Sequence, residues 1–108
     1  MNVPQPLAGL PHQKSAPQPL AGLRVVEFTH MVMGPTCGMV LADLGAEVVK
    51  VEPVDGDRTR HLIGAGAGFF PLFNRNKKSI GIDLKTADGA AAARRLALSA
   101  DVVAENFK

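Results

Sequence analysis

The segment from residue 20 to residue 51 constrains the fold more than any other part of the chain. It begins with an apolar run, RVVEF, continues through a Gly-Pro pair and a helix-favouring stretch, and ends with a second apolar run, EVVKV. Short apolar runs bounded by turn residues are typical of strands that are buried on both faces. Two such strands joined by a helix form a parallel crossover, and ligands of parallel sheets bind beyond the carboxyl ends of the strands. The segment therefore predicts an α/β protein with a ligand site at that edge.

The helix between these two strands is marked at both of its ends. Pro35 suits the first turn of a helix, where no backbone donor is lost, and Gly45 suits the left-handed position that follows the last turn. Met39, Val40 and Leu44 fall on neighbouring helical turns, so we expect them to face the sheet.

The rest of the folded part repeats this alternation of strand and helix. We expect a third strand at residues 79–84, a helix over residues 90–100 and a fourth strand at residues 101–104. Thr86 is the expected N-cap of the second helix, because its hydroxyl can accept a bond from a free backbone N–H. Residues 53–73 are predicted to be irregular. The pattern predicts two crossover units in one parallel sheet.

The first 22 residues differ in composition from the rest. They are rich in Pro and Gln, and the direct repeat PQPLAGL occurs at residues 4–10 and again at residues 17–23. Proline removes backbone donors from helices and sheets, and two copies are too few for a repeat fold. We expect a flexible arm over residues 1–22 and a folded domain over residues 23–108.

Composition argues against several classes of function. The net charge is only +2, and the chain has no Trp or Tyr, so a small anionic ligand is a better expectation than nucleic acid or a membrane. Cys37 is the only cysteine, so an internal disulfide or a thiolate metal cluster is impossible; we expect it to pack in the core, in the first turn of the helix. The chain has no apolar run of about 18 residues and no secretory signal, which favours a cytosolic protein.

Three further patterns in the sequence bear on function. The glycines of GAGAG at residues 64–68 follow no strand and precede no helix, so they are read as a flexible loop and a nicotinamide dehydrogenase is disfavoured. The cationic run at residues 74–78 could contact phosphate, but its composition favours a solvated loop. His30 lies at the expected ligand edge, where a structural hydrogen-bonding role is favoured over catalysis.

If the sheet is parallel, four corners of the chain share its carboxyl edge. They are residues 29–34, 52–53, 82–85 and 106–107. Gly34 would let the backbone approach a ligand closely, and the adjoining helix start offers unpaired N–H groups to an anion.

Five stretches of the sequence, in order and with regular spacing, resemble the N-terminal portion of the class III coenzyme A transferases. These stretches are LAGLRVVEFTH, MGPTCGMVLADLGAEVVKVEP, GDRTR, FNRNKKSIGIDLKT and ADVVAENF. The family includes formyl-CoA transferase, carnitine CoA-transferases and the related α-methylacyl-CoA racemases. The resemblance extends over residues 20–108.

The resemblance implies a Rossmann-like α/β domain that binds coenzyme A, truncated here, in a chain normally several times longer that forms interlocked homodimers. In the family's transferases an aspartate attacks an acyl-CoA, and CoA passes to a carboxylic acid through an aspartyl-CoA thioester. That aspartate lies beyond the segment ending in ENF. The resemblance therefore implies that this chain holds no catalytic residue, is inactive alone and uses no metal.

Coenzyme A contacts carried over by position fall along the same predicted edge. They are Val32, Met33, Pro53, Ile82, Asp83, Leu84, Lys85, Asn106, Phe107 and Lys108. Lys85 is expected to contact phosphate, and the backbone of residues 82–84 is expected to meet the adenine.

Two positions depart from the family pattern. Val32-Met33 replaces the Gln-Ala of formyl-CoA transferase, which makes oxalate or formate an unexpected acyl partner, and Pro53 stands where a basic residue is common. Three interpretations stay open: a transferase fragment, a racemase fragment whose His–Asp pair lies downstream, and a CoA- or nucleotide-binding module without chemistry.

Overall fold

The computed structural model describes residues 17–108, so the first copy of the PQPLAGL repeat lies outside the described residues. Its strands are β1 (Arg24–Phe28), β2 (Glu47–Glu52), β3 (Lys77–Gly81) and β4 (Val102–Glu105). They form one parallel sheet in the order β3-β2-β1-β4. The predicted α/β class with a parallel sheet is confirmed. The order 3-2-1-4 is that of the first four strands of dinucleotide-binding sheets, in which the order reverses between β1 and β4.

Two helices cover opposite faces of this sheet. Helix α1 (Met33–Asp43) joins β1 to β2, α2 (Phe69–Phe73) is a single short turn, and α3 (Ala87–Leu98) joins β3 to β4. Successive residues of a strand point to opposite faces. Val25 accordingly packs with Ala42 of α1, whereas Val26 packs with Ala93 of α3.

The third and fourth strands differ slightly from the prediction. The third strand begins and ends earlier than residues 79–84. It ends earlier because Asp83 turns the chain out of the sheet. Its Oδ1 accepts the N–H of Lys85 at 3.0 Å, and its carbonyl accepts the hydroxyl of Thr86 at 3.0 Å. Thr86 caps α3 as predicted, by accepting the N–H of Gly89 at 2.9 Å. The fourth strand is shifted by one residue from residues 101–104.

The region predicted to be irregular contains short helical turns. Two 3₁₀ helices, Arg58–His61 and Gly64–Gly68, precede α2. The glycine-rich segment is therefore a 3₁₀ helix rather than a loop. Arg60 connects this region to the sheet, because its guanidinium lies 3.8 Å from the ring centre of Phe70 and bonds Glu52.

The face of α1 that meets the sheet was predicted wrongly. Val40 and Leu44 are 47% and 41% exposed, and the buried positions of the helix are the small residues Gly34, Pro35, Gly38 and Ala42. The reason lies beneath the helix, where β1 carries Glu27. A Cβ on Gly38 would lie 2.9 Å from Cδ of Glu27, so only glycine lets the helix approach a sheet face that carries a charged side chain.

The end of α1 follows the sequence prediction. Gly45 has φ +106°, and the N–H groups of Gly45 and Ala46 return to the carbonyls of Ala42 and Leu41. The turn before β1 is tied to this end, since the N–H of Leu20 donates to Leu44 O at 2.9 Å. The second repeat copy thus adjoins the core. The flexible arm expected over residues 1–22 stays a prediction, and its residues 1–16 lie outside the described residues.

No helix in residues 17–108 has both the length and the apolar character needed to cross a bilayer.

Candidate functional site

A cleft of about 640 Å³ opens at the carboxyl edge of the sheet. The ends of β1 and β2 form its floor, with Thr29 and His30 on one side and the loop after β3 on the other. The segment after β4 closes one end, where the rings of Phe28 and Phe107 lie 6.4 Å apart at 45°. The expected gathering of chain corners at one edge is what the structure has.

The ten positions carried over from the resemblance divide into two groups. Those that line the cleft are Pro53, Ile82, Asp83, Leu84, Lys85 and Phe107. Those that do not are Val32, Met33, Asn106 and Lys108. Ile82 is only 8% exposed because its side chain packs in the α3-side core, so it offers the cleft mainly backbone.

Charged groups of both signs lie around the mouth of the cleft. Arg58, at the start of a 3₁₀ helix, and Lys85, in the loop after β3, line the cleft, and neither forms an ion pair with another residue of the described part. Asp55 and Asp83 line it as well, but one oxygen of Asp83 already accepts the Lys85 N–H. Two guanidinium or ammonium groups beside an apolar wall suit a ligand that has both phosphate and ring components.

The turn between β1 and α1 has an unusual backbone. Met31 has φ +66°, a left-handed value that is strained for a residue with a long side chain. Its N–H donates to Thr59 Oγ1 at 3.0 Å. The preceding residue, His30, is held by Asn106, whose amide accepts the His30 N–H at 3.1 Å and donates to the His30 carbonyl at 3.0 Å. The hydrogen bonds of His30 in this turn are therefore made by its backbone N–H and carbonyl.

Behind the turn lies a cluster of charged side chains that are almost fully buried. Lys77 Nζ lies 2.8 Å from Glu27 Oε1, and Lys50 Nζ lies 3.1 Å from Asp57 Oδ2 and 3.8 Å from Glu27 Oε2. All four side chains are at most 3% exposed. Glu27 Oε1 and Asp57 Oδ2 have only these ammonium groups as partners among the described residues. We call these four residues the buried ion cluster.

The pKa values of the carboxyl groups at this edge show which of them stay ionised. Burial raises the pKa of Glu52, but bonds from Arg60, Ser79 and the Asp57 N–H outweigh it and lower that pKa to about 2. Burial also opposes ionisation of Asp57, yet the bonds from Thr59 and the pairing with Lys50 lower its pKa. Both groups are carboxylates at neutral pH and act as acceptors rather than acids.

Burial lowers the pKa of Lys77, and its pairing with Glu27 opposes that change. Lys77 also donates to Pro35 O at 2.8 Å and to Asn74 Oδ1 at 2.9 Å, so three acceptors surround the ammonium group. The site beneath α1 is therefore built for the charged form of this lysine.

Sequence reasoning missed the buried ion cluster, although a signal for it exists. Glu27 and Lys50 each follow two valines in the interior of a strand, among buried positions. A charge at such a position must be paired in the interior. Two opposite charges on neighbouring central strands therefore indicate each other.

Residues away from the cleft gave mixed outcomes. Cys37 is exposed and lies in the second turn of α1, so its predicted core packing was wrong. The cationic run at residues 74–78 does not line the cleft; Arg75 pairs with Asp43 at 2.7 Å and Lys78 with Glu47 at 2.8 Å. Within the described residues no group of three or more His, Cys, Asp or Glu side chains is placed to hold a metal.

Comparison of the sequence with models of known protein families identifies the family to which this chain belongs. The family model described as CoA-transferase family III matches residues 20–108. The chain belongs to CoA-transferase family III. The resemblance found in the sequence is confirmed.

Relatives and solved structures place this family III chain among longer proteins. It is 45% identical over 100 residues to a succinate–glutarate CoA-transferase of Agrobacterium fabrum, covering 82% of this chain and 25% of the relative. It is 46% identical over 97 residues to a succinyl-CoA–D-citramalate CoA-transferase of Chloroflexus aurantiacus, covering 85% and 24%. A crystal structure of a CAIB/BAIF family protein from Brucella suis matches with a TM-score of 0.77 and 45% identity, over 84% of this chain and 26% of that one. The chain thus spans about a quarter of the length of these relatives.

Proposed function

We propose that this chain forms part of the coenzyme A site of a CoA-transferase, which moves CoA between an acyl-CoA and a carboxylic acid. The observation that carries the proposal is the cleft of about 640 Å³, which six of the ten positions carried over from the family share. A transferase is preferred to a racemase because both curated relatives described above are named CoA-transferases. The cytosolic location expected from the sequence stays a prediction.

The contacts of CoA follow from the chemistry of the cleft walls. Lys85 and Arg58 are the groups for phosphate, since both are cations without an ion-pair partner among residues 17–108. The backbone of residues 82–84 contacts the edge of the adenine, because the side chain of Ile82 packs in the core and leaves its backbone to face the cleft. Phe107 supplies a ring beside it.

The other four positions have different roles in the proposal. Met33 is 81% exposed, and Val32 lies just before α1, so both are available to a ligand that extends past the cleft. Asn106 already bonds the backbone of His30 with both ends of its amide, and it acts on CoA through that turn. Lys108 is exposed and can reach solvent-facing phosphate.

Binding of CoA is tested by isothermal titration of the 108-residue chain. Lys85→Ala is expected to weaken CoA binding about tenfold or more, the usual consequence of losing a hydrogen bond to a charged group. Lys78→Ala is the matched control, because Lys78 is equally cationic, 72% exposed and paired with Glu47 away from the cleft. Equal affinity in the two variants, or no binding by the unaltered chain, would refute the CoA site.

The transfer chemistry is proposed to need an aspartate outside this chain, so that residues 1–108 alone are inactive. Among the aspartates of the cleft, Asp57 is buried and paired with Lys50, which leaves Asp55 and Asp83 on the surface. Incubation with an acyl-CoA and a panel of carboxylic acids is expected to give no CoA exchange. Exchange that disappears in Asp83→Asn would contradict this proposal.

We further propose that residues 23–108 are the N-terminal part of a larger domain, in a protein that forms interlocked homodimers. The support is apolar surface that a complete domain would cover, on the edge strand β4 and the end of α3: Leu98 is 75% exposed and Val103 is 50% exposed. The isolated chain is expected to self-associate in analytical ultracentrifugation and to bind an apolar dye. A monomer that does not bind the dye would favour the alternative of a self-contained binding module.

A further inference from the structure

The β1–α1 turn and the first turn of α1 are together held at five backbone groups by side chains from four other parts of the chain. Lys50 donates to Thr29 O at 2.6 Å, Thr59 accepts the Met31 N–H at 3.0 Å, and Lys77 donates to Pro35 O at 2.8 Å. Asn106 bonds both the N–H and the carbonyl of His30. These four residues lie on β2, a 3₁₀ helix, β3 and the segment after β4, so side chains that are distant in the sequence hold the turn.

Asp57 of the buried ion cluster orients two of these four side chains, those of Thr59 and Lys50. Asp57 Oδ1 accepts the Thr59 hydroxyl at 2.8 Å, which leaves the hydroxyl oxygen free to accept the Met31 N–H. Asp57 Oδ2 faces Lys50 Nζ at 3.1 Å, which directs that ammonium group toward Thr29 O. The carboxylate therefore sets the direction of both bonds to the turn.

Stability alone does not account for such a cluster. Desolvation of buried ion pairs offsets much of their attraction, and apolar side chains of the same volume often stabilise a fold as well or better. A buried network does, however, favour one backbone geometry over alternatives. The strained φ of Met31 is the kind of conformation that persists only when its surroundings impose it.

We propose that Thr59, Lys50, Lys77 and Asn106 are positioning residues, which hold the β1–α1 turn in the shape that forms the Thr29–His30 wall of the cleft. Asp57 acts one step further away, through Thr59 and Lys50. None of these residues needs to touch the ligand. The link to CoA rests on the proposed function, whereas the clamp on the turn does not.

The clamp is tested at Thr59, which is 1% exposed and allows a matched pair of substitutions. Thr59→Val keeps the shape and removes the hydroxyl, whereas Thr59→Ser keeps the hydroxyl. Hydrogen exchange of the Met31 amide, followed by NMR, is expected to accelerate about tenfold in Thr59→Val and less than twofold in Thr59→Ser, since one hydrogen bond is lost. The amide of Val26 in the core of β1 serves as the internal reference and is expected to keep its rate.

Titration of the same proteins with CoA gives the second readout. The dissociation constant is expected to rise three- to tenfold in Thr59→Val and to stay within twofold in Thr59→Ser. Equal exchange at Met31 in both variants, or exchange that rises equally at Val26, would overturn the clamp. Unchanged CoA affinity despite faster Met31 exchange would overturn the positioning role.

A third variant covers the case in which Thr59→Val does not fold. Asn106→Ala removes both bonds to His30 from a less buried position, and faster exchange of the His30 amide is then expected together with weaker CoA binding. An unchanged exchange rate of the His30 amide in Asn106→Ala would overturn the proposal. If the unaltered chain fails to bind CoA, the proposed function fails, and the exchange rates at Met31 and His30 still decide whether the turn is clamped.

Discussion

Substitution of Gly38 by alanine is the sharpest test of how α1 packs on the charged end of the sheet. The added methyl group would lie 2.9 Å from Glu27 Cδ, 3.2 Å from Lys77 Cε and well inside contact distance of Glu27 Oε1. Carbon atoms in protein interiors prefer separations of about 3.5–4.0 Å. The carboxylate therefore has to move, although it is fully buried and paired with Lys77 at 2.8 Å.

The expected loss of stability combines three contributions. Overpacking of a filled interior costs about 1–3 kcal/mol. Displacement of Glu27 adds part of the roughly 3–5 kcal/mol that a fully broken buried pair would cost. Alanine recovers about 0.5–1 kcal/mol over glycine as a helix residue. The net loss is about 2–4 kcal/mol, a large fraction of the ~5–15 kcal/mol that holds a typical domain together.

The measurement is urea unfolding followed by circular dichroism, because the chain has no Trp or Tyr for fluorescence. With a slope of about 1.5 kcal/mol/M, the midpoint is expected to fall by roughly 1.3–2.7 M. Gly68→Ala is the matched control, since Gly68 has φ −86° and no atom within 4 Å of the added methyl group. A Gly38→Ala variant as stable as Gly68→Ala would refute the close approach of helix and carboxylate.

Three further outcomes follow from the geometry. Acid is expected to destabilise the fold as the pH drops from about 4.5 toward about 2, because folding lowers the pKa of Glu52 from 4.5 to about 2 and its carboxylate stabilises the fold fully only above that interval. In urea titrations at several pH values, Glu52→Gln should remove roughly 3 kcal/mol of this pH dependence. An unchanged dependence of the unfolding free energy on pH would contradict the Arg60 pairing. Cys37 is exposed, so a thiol reagent should modify it in the folded chain, and protection until unfolding would contradict its placement. Gly34→Ala should weaken CoA binding, because a Cβ there would lie 2.8 Å from Asn106 Cγ and displace that side chain; unchanged titration heats would argue against it.

Local signals in the sequence predicted the order of elements well. Pro35, Gly45 and Thr86 act on the backbone within a few residues of themselves, so their roles at helix ends can be inferred without the rest of the fold. The carboxyl edge could also be inferred, because a parallel sheet brings all strand ends to one side. The cleft residues Pro53 and Lys85 follow from that rule together with the family resemblance.

The failures share a cause, which is that they depend on contacts between distant segments. Lys77 looks like part of a polar loop, yet it is the first residue of β3. Its ammonium group pairs with the carboxylate of Glu27, which lies 50 positions away in the chain. Val40 was assigned to the sheet side because apolar residues usually are, but the opposing surface there is ionic and requires small residues. Asn106 also bonds the backbone of His30, a contact that the sequence did not indicate because only the neighbouring positions of β1 and β4 create it.

The α1 side of the sheet changes character along the strands, and this change separates stability from geometry. At the amino end Val25 and Val48 pack with Ala42 and Ala46 in an apolar cluster, which is the kind of contact that stabilises a domain. At the carboxyl end the same face carries the buried ion cluster, whose desolvation limits its contribution to stability. The charged half is also the half that bonds the β1–α1 turn. Truncations in the apolar half should therefore lower the free energy of unfolding and leave the turn intact, whereas loss of a single bond in the charged half should loosen the turn while the domain stays folded.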